Sequence, residues 1–297
     1  MSEAHVPLQP WSIPLATSLA LVVTAVLCFR GWLHLRAVCP TAISGRHLSV
    51  FVCGIMSVAV AVNPPVATMD HQLLFMHMVR HLLLMAVAPP LILLGAPFLS
   101  VPYGLPSSLF RLAPCPLLHW APMRSLIRLM TSSTFCWLSA TAVLIGWHFP
   151  KAFGLGMQSE SWHAIQCASF LATGVLFWMP VIQPGPTKPR SPQWSIPLYL
   201  FLGTLPCDTL SAFLTFCGRV VYPHYLHAER PFNISALQDQ ESAGALMWVS
   251  VTFVYLIPAL IATIQILSPA NAYRQTELRD VNAMRARPSP PDAEEVA

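Results

Sequence analysis

Seven long apolar stretches constrain the fold of this chain more than any other feature. A helix that crosses the hydrocarbon core of a bilayer, about 30 Å thick, needs roughly 20 mostly apolar residues. Stretches that meet this requirement lie at about 12–29, 48–66, 72–100, 130–148, 162–182, 196–217 and 242–267. We therefore predict an all-α, polytopic membrane protein with seven transmembrane helices.

The amino-acid composition excludes an ordinary soluble domain. Charged residues make up 9% of the chain and hydrophobic residues 55%, whereas soluble proteins carry roughly 25% charged residues. No linker-like change in composition divides the 297 residues. We predict one membrane domain at 12–267, preceded by an outer tail at 1–11. The segment 268–297 is polar, charged and rich in proline, so we predict a disordered cytoplasmic tail.

Lysine and arginine residues indicate the orientation, because the cytoplasmic loops of membrane proteins are enriched in them. With the N-terminus outside, twelve of the sixteen basic residues fall in the first, third and fifth loops and the C-terminal tail. The other four are Arg80, Lys151, Arg219 and Arg230. We therefore predict an outer N-terminus and a cytoplasmic C-terminus in a bacterial cell (inner) membrane. The net charge of +4 then reflects the loops, and we predict no nucleic-acid partner.

The third apolar stretch is too long for one straight helix and contains Pro89 and Pro90. Proline inside a helix removes a backbone donor and forces a kink. We expect a helix from about Asp70 to Ala88, then a break, and a second helical piece that ends near Ser100.

The histidines are distributed unevenly across the predicted membrane. His34, His47 and His119 fall on the cytoplasmic side, and His5 lies in the N-terminal tail. The other seven of the eleven fall in the outer half of the membrane or in the outer loops; they are His71, His77, His81, His148, His163, His224 and His227. This asymmetry points to a chemical site at the outer face.

His77 and His81 are four residues apart in the third stretch, so they share one face of a helix, the spacing of two imidazoles on one metal ion. Asp70 lies on the same stripe. Ionisable residues are rare inside apolar spans and are usually functional there. The same stretch holds methionines at 69, 76, 78 and 85, which either pack helices or supply soft ligands that suit Cu(I).

His148 ends the fourth stretch and His163 begins the fifth, so one short outer loop joins them. Each stands beside a tryptophan and can be an interfacial residue, but four histidines at one membrane depth favour a site. Arg80 lies deep in the third stretch, where an unpaired guanidinium is costly. We expect it to form an ion pair with Asp239 or Glu241.

Four sequence blocks resemble the CtaG-type (caa-oxidase) cytochrome c oxidase assembly factors. The first is HQLLFMHMVRHLLLMAVAPPLILLGAP at 71–97. The others are WHFP at 147–150, WH at 162–163 followed by LFWMP at 176–180, and DQESAGALMW at 239–248. The resemblance runs in a consistent order from about residue 45 to residue 267.

The resemblance implies a seven-span protein that assists the assembly of a haem–copper oxidase, with cytochrome c oxidase subunits as partners and copper as the cofactor. The family positions carried over by this resemblance are His77, His81, His148, His163, Asp239 and Gln240. The four histidines are then the candidate metal ligands at the outer face. We expect three further residues to orient the imidazoles through hydrogen bonds to the nitrogen that does not face the metal; they are Asp239, Gln240 and Asp70.

Three alternatives stay open at this point. Two imidazoles facing each other across the bundle, such as His81 and His163, would suit a haem-binding oxidoreductase. Proline-broken helices are common in transporters, and Asp208 with Arg80 would line a path for copper or a small substrate. The third alternative is a scaffold protein that binds no metal. We predict no enzymatic activity.

Overall fold

The computed structural model describes residues 15–38, 44–95, 97–105, 121–183, 192, 194–230 and 233–268. The elements of these residues are helical, and none of these residues forms a strand. This agrees with the all-α prediction. Both predicted tails, at 1–11 and 268–297, lie outside the described residues apart from Ser268.

The described helices, numbered in chain order, range in length from 4 to 32 residues. They are α1 (Leu15–Val38), α2 (Gly45–Val62), α3 (Val66–Met69), α4 (Leu74–Leu82), α5 (Ala88–Leu94), α6 (Pro97–Gly104), α7 (Ala121–Met130), α8 (Ser133–His148), α9 (Pro150–Gln158), α10 (Glu160–Ile182), α11 (Ser195–Phe216) and α12 (Ala236–Leu267). A π-helical segment, Leu83–Val87, joins α4 to α5, and a 3₁₀ turn, Pro223–Leu226, lies between α11 and α12.

Six helical segments of the described residues are long and apolar enough to cross a membrane by themselves. They are Leu15–Val38, Gly45–Met69, Leu74–Leu94, Glu160–Ile182, Ser195–Phe216 and Ala236–Leu267. The predicted fourth span is different: Ser133–His148 qualifies only together with Pro122–Met130, and the two are bent by 61°. The described part of the chain therefore provides six spans, or seven if this bent pair is one span.

The third span does not break where we expected it to. The structure continues as a helix through Pro89 and Pro90, and the chain turns only at Gly95. Just before the prolines, the N–H of Ala88 donates to the carbonyl of Leu83, five residues back. This wider π register accommodates prolines that would otherwise break the helix. The start was also misplaced, because α4 begins at Leu74 and Asp70 lies directly after α3.

The core lies where α4, α10, α11 and α12 pack together. α12 packs along α11 and against α4, while α10 contacts α8, α5 and the π segment. Buried residues such as Met78, Phe170, Trp178 and Tyr255 fill the space between them. Large apolar side chains on the opposite faces, including Phe201, are exposed, as expected for helices surrounded by lipid.

Candidate metal centre

His77 and His81 lie side by side on α4, as their spacing predicts. Their ring centroids are 4.1 Å apart. His77 is completely buried and His81 is 5% exposed. Phe153 of α9 packs 4.9 Å from the His77 ring, and Phe170 of α10 packs 4.2 Å from the His81 ring. The pair therefore faces the interior of the bundle rather than lipid.

His148 joins this pair from the last turn of α8. Its ring centroid is 6.0 Å from that of His81, and the residue is 6% exposed. Its Nδ1 donates to the Leu144 carbonyl over 2.7 Å, so Nε2 keeps a free lone pair. The Tyr222 hydroxyl donates to the His148 carbonyl over 3.2 Å and ties the end of α8 to the segment that follows α11.

Five imidazole nitrogens in this group are buried and have no hydrogen-bond partner among the described residues. They are Nδ1 and Nε2 of His77, Nδ1 and Nε2 of His81, and Nε2 of His148. A buried polar atom without a partner costs about 1–3 kcal/mol. Each neutral imidazole keeps one lone pair, so this group offers three nitrogen ligands of the kind that copper, zinc and iron accept. We call His77, His81 and His148 the inner cluster.

His163 lies beside the inner cluster but belongs to a second group of polar side chains. Its ring is 6.0 Å from that of His77. Its Nε2 is 2.6 Å from Nη1 of Arg80 and 3.2 Å from Oδ2 of Asp70. Since arginine can only donate, Nε2 of His163 accepts this hydrogen bond. The lone pair of that nitrogen is therefore already used.

Arg80 has a different partner from the two that we expected. Its Nη1 donates to Oδ2 of Asp70, and Asp70 is completely buried. Burial raises the pKa of Asp70 but the charge of Arg80 lowers it, and the net effect is a pKa of about 2. The short loop between α3 and α4 therefore supplies the carboxylate that neutralises Arg80, ten residues before it in the chain.

Asp239 and Gln240 contact backbone groups, not imidazoles. The Asp239 carboxylate accepts the N–H groups of Leu74 over 2.7 Å and Phe75 over 3.1 Å. It thus caps the start of α4, whose first N–H groups have no partner within the helix. Gln240 binds the backbone of Leu214, Arg219 and Val221 at the end of α11. Both residues therefore fix the helices that carry the site. This corrects the prediction that they orient the imidazoles by direct hydrogen bonds. Among the described residues, Glu241 is not the partner of Arg80 either.

Two sulfur-bearing residues beside the inner cluster were not identified from the sequence. A cavity of about 30 Å³ is lined by His81, His148, Met85, Cys207 and Met247, among others. A cavity needs roughly 10–15 Å³ to hold one water molecule, so this one has room for a small ion with little solvent. Cys207 and Met247 come from α11 and α12. Nothing in their local sequence distinguishes them from packing residues, because only the fold brings them next to the histidines.

The fold and this site define a class: a helical protein able to span a membrane, with a cluster of buried histidines near one end of its bundle. The model of the cytochrome c oxidase caa3 assembly factor family (Caa3_CtaG) matches residues 26–268. This chain therefore belongs to that family, as the resemblance of its sequence blocks predicted. Comparison with curated proteins and with solved structures gives no match.

Proposed function

We propose that this protein binds copper at its inner cluster and assists the insertion of copper into a subunit of a cytochrome c oxidase. It would do so from the outer side of a bacterial cell membrane, with the N-terminus outside and the C-terminus in the cytoplasm. The family to which the chain belongs supports the assembly role. The observation that carries the copper site is the set of five buried imidazole nitrogens without partners among the described residues.

The chemistry of the donors favours copper over harder cations. His77, His81 and His148 offer neutral nitrogens, and Met85, Cys207 and Met247 add sulfur on the adjoining cavity wall. Imidazole and thioether ligands suit copper, whereas Mg²⁺ and Ca²⁺ prefer oxygen. The cavity of about 30 Å³ matches an ion rather than a macrocycle such as haem, since sites for large ligands have volumes of roughly 300 Å³ or more. His163 would complete the set only after its nitrogen is released from Arg80.

The position of the site also suits transfer to another protein. The inner cluster is close to the segment around Tyr222, which connects α11 to α12 at one end of the bundle. We call this end, where α3, α9 and residues 219–230 and 233–235 lie, the histidine end. The distribution of lysine and arginine predicts that it faces outward. A copper ion bound here would lie within reach of an oxidase domain on the outer side.

The test compares copper content and oxidase activity in one series of variants. His77→Gln/His81→Gln keeps the volume and polarity of both sites but removes the imidazoles. Thr173→Ala is the matched control, because this buried hydroxyl of α10 donates to the Ser169 carbonyl of its own helix. Elemental analysis of the purified proteins gives the copper content, and oxidase activity is measured in membranes of cells that express each variant.

After dialysis that removes weakly bound metal, we expect about one copper per chain in the wild type and in Thr173→Ala, and a loss of at least tenfold in His77→Gln/His81→Gln. Oxidase activity should fall with the copper. Full oxidase activity in the double variant would contradict the proposal. A wild type that assembles oxidase but binds no copper would leave a metal-free scaffold as the function.

A further inference from the structure

A second group of metal-binding side chains lies at the histidine end, outside the inner cluster. Asp70, His71 and His163 each have one donor atom within 4.8 Å of those of the other two. The Asp70 and His163 side chains are buried, whereas that of His71 is 46% exposed. The group thus reaches from the surface into the protein. We call it the outer group.

The donor atoms of the outer group are not all used within the protein. Oδ1 of Asp70 is buried and has no hydrogen-bond partner among the described residues, although Oδ2 is bound to Arg80. Nε2 of His71 lies 3.8 Å from this free oxygen. His163 offers Nε2, which lies 3.2 Å from Oδ2 of Asp70 and is held by Nη1 of Arg80. A carboxylate oxygen and imidazole nitrogens that converge in this way suit a divalent transition-metal ion.

The outer group is connected to the inner cluster by a continuous line of imidazole rings. The ring centroids of His71 and His163 are 5.3 Å apart, and those of His163 and His77 are 6.0 Å apart. The line continues from His77 to His81 over 4.1 Å and from His81 to His148 over 6.0 Å. Each step is 6.0 Å or less, so an ion that moved between the two groups would meet an imidazole ring at every step.

We propose that Asp70, His71 and His163 form an entry site, which captures a divalent transition-metal ion at the surface and passes it to the inner cluster. This role rests on the proposed function, since it takes the inner cluster as the destination. The entry site itself is a separate claim about metal binding.

Arg80 lowers the affinity of this entry site for a metal ion, and a low affinity suits transfer of the ion to the inner cluster. Its guanidinium already neutralises Asp70 and occupies Nε2 of His163. A divalent ion therefore meets no net negative charge and must displace Arg80 if it binds through that nitrogen. Like charges at short distance in a low-dielectric interior repel each other strongly. An ion held in this way is released more readily than one held by the uncharged inner cluster.

The experiment titrates metal-free, full-length protein in detergent with Cu²⁺. Equilibrium dialysis gives the number and affinity of the bound ions, and quenching of tryptophan fluorescence in a stopped-flow instrument gives the loading rate. The variants are His71→Ala, which alters a half-exposed side chain, and His77→Gln/His81→Gln. His227→Ala is the matched control, because it removes an exposed histidine near the same end of the bundle.

We expect two ions per chain in the wild type and in His227→Ala, one tight and one weak. His71→Ala should lose the weak ion, keep the tight one and load it at least tenfold more slowly. His77→Gln/His81→Gln should keep only the weak ion. If His71→Ala leaves both the stoichiometry and the loading rate unchanged, the entry site is refuted. If His77→Gln/His81→Gln binds as the wild type does, the proposed function fails, but the loss of one ion in His71→Ala would still support the outer site.

Discussion

At the scale of single residues, the ion pair between Arg80 and Asp70 is the most consequential contact of the site. Both side chains are buried, and the pair lies between the inner cluster and the surface. The gain from a buried ion pair is small because both charges lose their hydration, but the removal of one partner is costly. The pair therefore makes the position of α4 depend on the short loop before it.

This pair predicts a clear difference between two carboxylate substitutions. Asp70→Asn leaves the guanidinium of Arg80 buried without a counter-charge, and we expect a destabilisation of about 3–5 kcal/mol. Glu241→Gln, the control, changes a carboxylate that does not contact Arg80 among the described residues. Thermal unfolding in detergent, followed by tryptophan fluorescence, measures both. An equal loss of stability in the two variants would contradict the pairing seen in the structure.

At the scale of secondary-structure elements, the π segment and α10 determine where the histidines lie. The π segment directly follows the turn of α4 that carries His81, and α10 carries His163. The two approach each other at Gly174, where a Cβ atom would lie 2.7 Å from the Met85 carbonyl oxygen and 2.8 Å from Cγ of Pro89. Only glycine fits this contact without a shift of the backbone.

Gly174→Ala should therefore push α10 away from the π segment. We expect a loss of about 1–3 kcal/mol in stability, the usual cost of overpacking a tight contact. Gly146→Ala on α8 is the control, because a Cβ atom there meets nothing within 4 Å. Its effect should be neutral or slightly stabilising, since alanine favours a helix over glycine. Thermal unfolding distinguishes the two, and a stable Gly174→Ala protein would show that α10 is not held at this contact.

At the scale of the whole molecule, function depends on which side of the membrane the histidine end faces. The helices of the described residues provide six spans, or seven if the bent pair is one span. Seven spans would place the two ends of the chain on opposite sides of the membrane, as the distribution of basic residues predicts.

Topology mapping in intact cells tests this orientation. With the histidine end outside, a cysteine introduced by His227→Cys should react with a membrane-impermeant maleimide, and a green fluorescent protein fused after Ala297 should fluoresce. The native cysteines, such as the exposed Cys53 on α2, provide the background without the new residue. If labelling occurs only after the cells are lysed, the histidine end faces the cytoplasm, and this would contradict delivery of copper on the outer side.

The sequence by itself determined the helical class, the family and the pairing of His77 with His81. Hydropathy and helical periodicity are local properties, and they hold whatever the helices pack against. The spacing of four residues placed both imidazoles on one face, and the π segment begins only after His81. The limits of the spans were less accurate, because the 61° bend between α7 and α8 and the π register before Pro89 were not predicted.

The tertiary structure decided which groups meet. From the sequence we expected Asp239 or Glu241 to form an ion pair with Arg80. In the structure, the loop between α3 and α4 brings Asp70 to Arg80 instead. Asp239 was then left to cap the first turn of α4. The packing of the helices separates His163 from the inner cluster, because it places this residue against Arg80. The same packing brings Cys207 and Met247 next to the inner cluster. No periodicity within one segment contains that information, because contacts between distant segments are set by the packing of the whole bundle.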